Sequence, residues 1–126
     1  MARSQERSLR KVSGGRYHQA RTKKKYELAG FPANTKLGKE TRMVNKRGMG
    51  GSIKHYLLSA NKVNVTKKDG KTQVSDIINV IENPANPHLV RRNVITKGAI
   101  VETKLGKVRI TSRPGQEGGI NDKFRV

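Results

Sequence analysis

Arg3, Arg7, Arg10, Lys11, Arg16, Arg21, Lys23, Lys24 and Lys25 all fall within the first 25 residues, with Tyr17, His18 and Tyr26 set among them and Phe31 just beyond. Cations at this density can neutralise closely spaced phosphates, and rings between them can stack on unpaired bases. Gly14 and Gly15 fit the same chemistry, because a residue without Cβ lets backbone N–H groups come close to a phosphate. A second basic series, Lys36, Lys39, Arg42, Lys46, Arg47 and Lys54, surrounds Gly48, Gly50 and Gly51. Its spacing would set several cations on one side of a short helix, limited in length by Gly38 and Gly48. Arg91, Arg92 and Lys97 form a third patch. The competing readings are ordinary packing for the rings, a solvated or nuclear-import run for Lys23 to Lys25, and a solvated surface for the third patch. The charge density of the first segment favours a polyanion for the lysine run.

Other chemistry lacks its residues. Gly48-Met49-Gly50-Gly51-Ser52-Ile53-Lys54 has neither the GxxxxGK[ST] spacing of a phosphate-binding loop nor an apolar strand before it. His18, His55 and His88 are scattered, with no HExxH and no clustered carboxylates to hold a metal. No GxSxG elbow marks a nucleophile, and the nine acids are thinly spread. Neither an enzyme nor a cofactor or metal site is expected.

The chain has 126 residues, 28 of them Lys or Arg and nine Asp or Glu, for a net charge of +19. That length supports a single ordinary domain. Hydrophobic residues make up only 33%, lean for a self-sufficient core, so part of the chain is expected to take its order from a partner. Without cysteine there is no disulfide framework, and an intracellular protein is the simpler reading. The basic N-terminus does not resemble a secretory signal, and no apolar run approaches the roughly 20 residues that span a bilayer. No amphipathic stretch with a large apolar face favours a membrane surface. So strong a positive field makes nucleic acid the default partner.

Charge and core-formers are distributed unequally. Up to His55 there are 15 Lys/Arg against three acids and only seven residues of the Val/Ile/Leu/Phe set; from Tyr56 onward that set numbers 21. The sequence therefore predicts a basic, glycine-containing N-terminal arm and linker over 1–54, extended until ordered on RNA, and a folded body over 55–126, with a soft boundary between Ser52 and Tyr56. In the body, Val63-Asn64-Val65 and Lys107-Val108-Arg109-Ile110 alternate as half-buried strands do. Ala99 to Glu102 and the β-branched run Ile77 to Ile81 read as further strands. Asp69-Gly70 and Leu105-Gly106 supply turns, and Asn86-Pro87 caps a single helical turn through Arg92. Five or six short strands joined by tight turns predict a mainly β fold, a small barrel with short helical turns.

Several segments resemble a known family. Lys11-Val12-Ser13-Gly14-Gly15-Arg16, Arg21 to Gly30, Thr35-Lys36-Leu37-Gly38, Arg47 to Lys54, Val80 to Arg92, Lys97 to Val101 and Gly115-Gln116-Glu117-Gly118 resemble the archaeal and eukaryotic small-subunit ribosomal protein eight family, in its short archaeal form. The resemblance covers nearly the whole chain. It implies a central β-barrel with an extended basic arm, direct contact with small-subunit ribosomal RNA, neighbouring small-subunit ribosomal proteins as partners, and a place in the cytoplasmic ribosome. On this reading the chain is a structural constituent with no small-molecule substrate and is not a homo-oligomer. The basic residues of the first two series and Arg91 and Arg92, with Gly14, Gly15, Gly48, Gly50, Gly51, Tyr17, His18 and Tyr26, are the candidate RNA contacts. An architectural protein of chromosomal DNA is the alternative that shares the charge. A cationic membrane-active protein is a third.

Overall fold

The computed structural model describes residues 7–67 and 69–124, with no account of the side chains of Lys123 and Phe124. Arg3 lies outside the described residues. The chain divides into two compact units, residues 1–32 and 33–126. The composition argument sets the boundary at 54, but residues 33–54 belong to the second unit and contribute strands to it. Backbone pairing there orders a segment with few core-formers of its own.

In the second unit β1 (Lys36–Leu37), β2 (Arg42–Arg47) and β3 (Ile53–Ala60) make a three-stranded sheet in the order β1-β3-β2. β1 runs parallel to β3, and β2 pairs antiparallel with it. Leu57 and Ala60 are buried, and Thr35 Oγ1 donates to the Leu57 carbonyl at 2.6 Å, tying the sheet into the core. The helix expected from the spacing of the second basic series does not form. Period-three cations compete there with the pairing of β2 to β3 across a glycine loop, and the pairing prevails.

After Asn61 come β4 (Lys62–Thr66), β5 (Thr72–Glu82), β6 (Ile100–Thr103), β7 (Gly106–Ile110) and β8 (Asn121–Phe124), which close into a barrel in chain order. Neighbours pair antiparallel except at the closure, where β8 lies parallel to β4. Alternation explains the strands: Val63, Val65, Val108 and Ile110 point inward while Lys62, Lys107 and Arg109 are exposed. Closing the sheet removes its open edges. Gly70 and Gly106, at φ 77° and 127°, make the turns the sequence predicts, where a side chain would be strained.

Val63, Val65, Ile77, Val80, Val101, Val108 and Ile110 fill the barrel with Ile95, Ala99 and Ile120. Each fully buried Val or Ile contributes about 1.5 to 3 kcal/mol. A 3-10 turn over Pro87–Arg92 follows β5, with Asn86 Oδ1 accepting from the His88 N–H at 3.0 Å as the expected cap. Asn93, at φ 49°, ends it. Proline fixes its start, and the turn carries Arg91 and Arg92 at its exposed end.

Candidate nucleic-acid interface

In the first unit every residue from Arg7 to Tyr26 is exposed. The backbone doubles back on itself at the Ser-Gly-Gly sequence: Lys11 N–H donates to Gly15 O at 2.8 Å, Gly14 N–H to Lys11 O at 3.0 Å, and Tyr17 N–H to Leu9 O at 3.0 Å. Gly14 sits at φ 83°, which explains glycine at that position. Arg10 bridges Arg16 through the backbone, and its guanidinium donates to the Gly14 carbonyl at 2.9 Å. The loop gathers cations around one ring: the Arg7 guanidinium lies 4.2 Å from the Tyr17 centroid and Lys11 Nζ 5.6 Å away. The Tyr17 ring thus holds both cations beside it.

Farther along, a 3-10 turn over Lys25–Glu27 is stitched by Glu27, whose carboxylate pairs with Arg21 and accepts the Lys24 N–H at 3.1 Å. That backbone bond, with Arg21 beside it, holds the Glu27 carboxyl below its ordinary pKa. Lys23, Lys24 and Lys25 follow one another at this turn, with Tyr26 82% exposed beside them. Its ring is open to stacking.

In the second unit the β2–β3 hairpin sets Arg47 opposite Ile53, Lys46 opposite Lys54, and Asn45 opposite His55. His55 Nδ1 and Asn45 Oδ1 are 2.6 Å apart. At the tip, Gly48 N–H donates to Ser52 O at 2.7 Å, while Gly50 and Gly51 take φ 68° and 76°. No Cβ would meet an obstacle at Gly50 or Gly51, so glycine serves backbone conformation there, beside the exposed Met49 side chain. Strand alternation puts Lys46 and Lys54 on one face and Arg47 on the other. Lys36, Lys39 and Arg42 are exposed near the base.

A loop over 113–119 buttresses the hairpin. Leu57 N–H donates to Pro114 O at 2.9 Å, Lys54 Nζ to Gln116 Oε1 at 3.3 Å, and a Cβ on Gly118 would stand 3.1 Å from Met43 Sδ. Sequence reasoning does not find Gln116 as a support for Lys54. Its only signal is the Gly115-Gln116-Glu117-Gly118 segment within the resemblance. Among the described residues the ion pairs are Arg21–Glu27 and Lys104–Asp76. Most cations among the described residues therefore have no ion-paired carboxylate.

The sequence matches the family described as Ribosomal protein S8e over residues 4–123. The chain belongs to that family. It is 51% identical over 118 residues to the small ribosomal subunit protein eS8 of Methanocorpusculum labreanum, covering 93% of this chain and 94% of the relative. The eS8 protein of Methanobrevibacter smithii is 52% identical over 122 residues, 96% and 97% of the two chains. That of Sulfurisphaera tokodaii is 43% identical over 118 residues, 93% and 92%. S8e proteins are structural components of ribosomes rather than enzymes. Among the described residues no group of His, Cys, Asp or Glu could hold a metal. No helix among them is long and apolar enough to cross a membrane.

Within this S8e chain the predicted residues fall into separate groups. Arg7, Arg10, Lys11, Gly14, Gly15, Arg16, Tyr17 and His18 belong to the doubled-back loop, and Arg21, Lys23, Lys24, Lys25 and Tyr26 to the Glu27 turn. Lys46, Arg47, Gly48, Gly50, Gly51 and Lys54 come together on the hairpin. Arg91 and Arg92 stand apart from it in sequence and element, on the turn after β5.

Proposed function

We propose that this protein is a structural constituent of the small ribosomal subunit in the cytoplasm, binding small-subunit ribosomal RNA through its N-terminal segment and the β2–β3 hairpin. Its relatives carry the name small ribosomal subunit protein eS8, which supports the subunit assignment. The observation that carries the RNA reading is the cation excess before the barrel: from Arg7 to Lys54 there are 14 Lys/Arg and only Glu27 and Glu40 as acids. Unpaired exposed cations repel one another, and closely packed phosphates remove that repulsion while releasing counterions.

The groups divide the work. Arg and Lys neutralise phosphates, the Gly50-Gly51 backbone at the hairpin tip approaches the RNA backbone, and Tyr26 stacks on an unpaired base. The first segment takes its final conformation on RNA, while the hairpin presents its cations from strands already paired in the sheet. Neighbouring ribosomal proteins cover other surfaces.

Binding of the full chain to small-subunit ribosomal RNA, measured across salt concentrations, tests this. With a third to a half of the cations on phosphate, affinity falls by several powers of ten between about 50 and 200 mM salt. A nearly flat salt dependence would overturn it.

A further inference from the structure

From Thr72 through Val90 the chain has no Lys or Arg, the longest such stretch in a sequence otherwise dense in both. This stretch includes all of β5. Its register against β6 slips twice, between Ile77 and Asn79 and between Val80 and Glu82. The extra residues of these two bulges are Ile78 and Ile81. Both are turned outward, 55% and 39% exposed, while Ile77 and Val80 stay in the core. A bulge re-aims side chains, and here it aims two large aliphatic groups at the outside of the barrel. Val74 is exposed on the same strand.

The acids around these residues differ in whether a cation stands beside or opposite them. Asp76 is bound by Lys104 at 2.6 Å, and Glu102 stands opposite Lys107 in the β6–β7 ladder. Glu82 is exposed, follows Ile81 directly, and has Ile100 opposite it. No ion pair reaches Glu82 among the described residues, Arg91 and Arg92 included. A phosphate backbone would meet no cation on β5 and one free carboxylate. Exposed aliphatics beside an unpaired acid complement a protein segment in which Lys or Arg alternates with aliphatic side chains.

We propose that the outer face of β5 is a protein-docking surface, with Ile78 and Ile81 packing against aliphatic side chains of a neighbouring ribosomal protein and Glu82 pairing with a Lys or Arg of the same segment. The proposal rests on membership of the small subunit and assigns a face and a partner chemistry to it. The cationic surfaces face RNA and this one faces protein.

The test places photoreactive benzoylphenylalanine at Ile78 or at Ile81 in the full chain, with Tyr26 as a reference position. Subunits assembled in cells are irradiated and the crosslinked products sequenced. The Ile78 and Ile81 probes are expected to capture one protein segment rich in Lys or Arg and aliphatic residues. Adding Glu82→Lys is expected to cut that yield about tenfold or more, because like charges across an interface cost several kcal/mol. Capture of RNA, capture of a second copy of this chain, a segment without cations, or a yield indifferent to Glu82→Lys would each overturn the proposal. So would silence at both β5 positions while the Tyr26 probe captures RNA. Failure of the Tyr26 probe alone would count against the RNA reading and leave the docking result standing.

Discussion

Lys46 on β2 stands directly opposite Lys54 on β3, cation against cation across an antiparallel ladder. Like charges in that relationship destabilise a sheet. Among the described residues no carboxylate pairs with either, and Lys54 is steadied only by the Gln116 amide oxygen at 3.3 Å. The hairpin is therefore less stable alone than it would be with a neutral pair, and a phosphate bound between the two lysines would reverse the sign of that interaction.

Replacing Lys46 by Glu separates folding from binding. The free protein should become more stable by about 0.2 to 1 kcal/mol, since the cross-strand pair turns attractive. RNA affinity should fall, and the log–log salt slope should lose about one. Thermal melts beside salt-dependent binding read both. Loss of stability together with affinity would make Lys46 a structural residue.

Arg16→Ala and Lys24→Ala change exposed side chains of the first unit. Each should leave the melting temperature of the barrel in place and lower the salt slope by about 0.7 to 0.9. A slope that does not move removes that residue from the RNA contact set.

Asp122 makes stability depend on pH. It is buried on β8 between Val65 of β4 and Ile110 of β7, and neither carboxylate oxygen has a hydrogen-bond partner. The nearby cations of the flanking strands, Lys62, Lys107 and Arg109, occupy outward positions. Desolvation raises its pKa from 3.8 to about 7. The folded state then holds a proton that the unfolded chain releases above about pH 4. Stability should fall as pH rises from about 4 to 7, by at most about 1.4 kcal/mol per pH unit from this group, and level off above. Asp122→Asn should flatten that stretch of the profile and stabilise the protein at pH 8, as denaturant melts across pH would show. A profile identical to that of the parent would contradict the burial of an unpaired carboxyl.

Ile110 tests the barrel core. It is 1% exposed in the main cluster, so Ile110→Ala should cost about 2 to 5 kcal/mol of unfolding free energy. Ile81→Ala, on the outer face, should cost well under half as much. Equal losses would place Ile81 in the core.

The barrel was legible where local signals agreed. Val63-Asn64-Val65 alternates cleanly, Asp69-Gly70 turns, and Asn86-Pro87 caps, and each of these is realised in the structure. β8 was not legible, because Asn121-Asp122-Lys123 is composed of poor strand formers and is held by β4 and β7 from far away in sequence. The β2–β3 hairpin was hidden for a related reason. Its cations at three- and four-residue spacing imitate a helix face, while its true organisation comes from pairing across the Gly50-Gly51 tip and from the 113–119 loop. Basic residues were easy to find as a set. Their division between loop, turn and two hairpin faces required the fold.

The most direct measurement of the central claim is gradient sedimentation of a cell extract at low salt, with and without RNase, followed by immunodetection of this chain. The protein should travel with the small ribosomal subunit and leave that position after RNase treatment. Persistence with DNA after RNase, or migration as free protein at low salt, would contradict a ribosomal RNA-bound constituent.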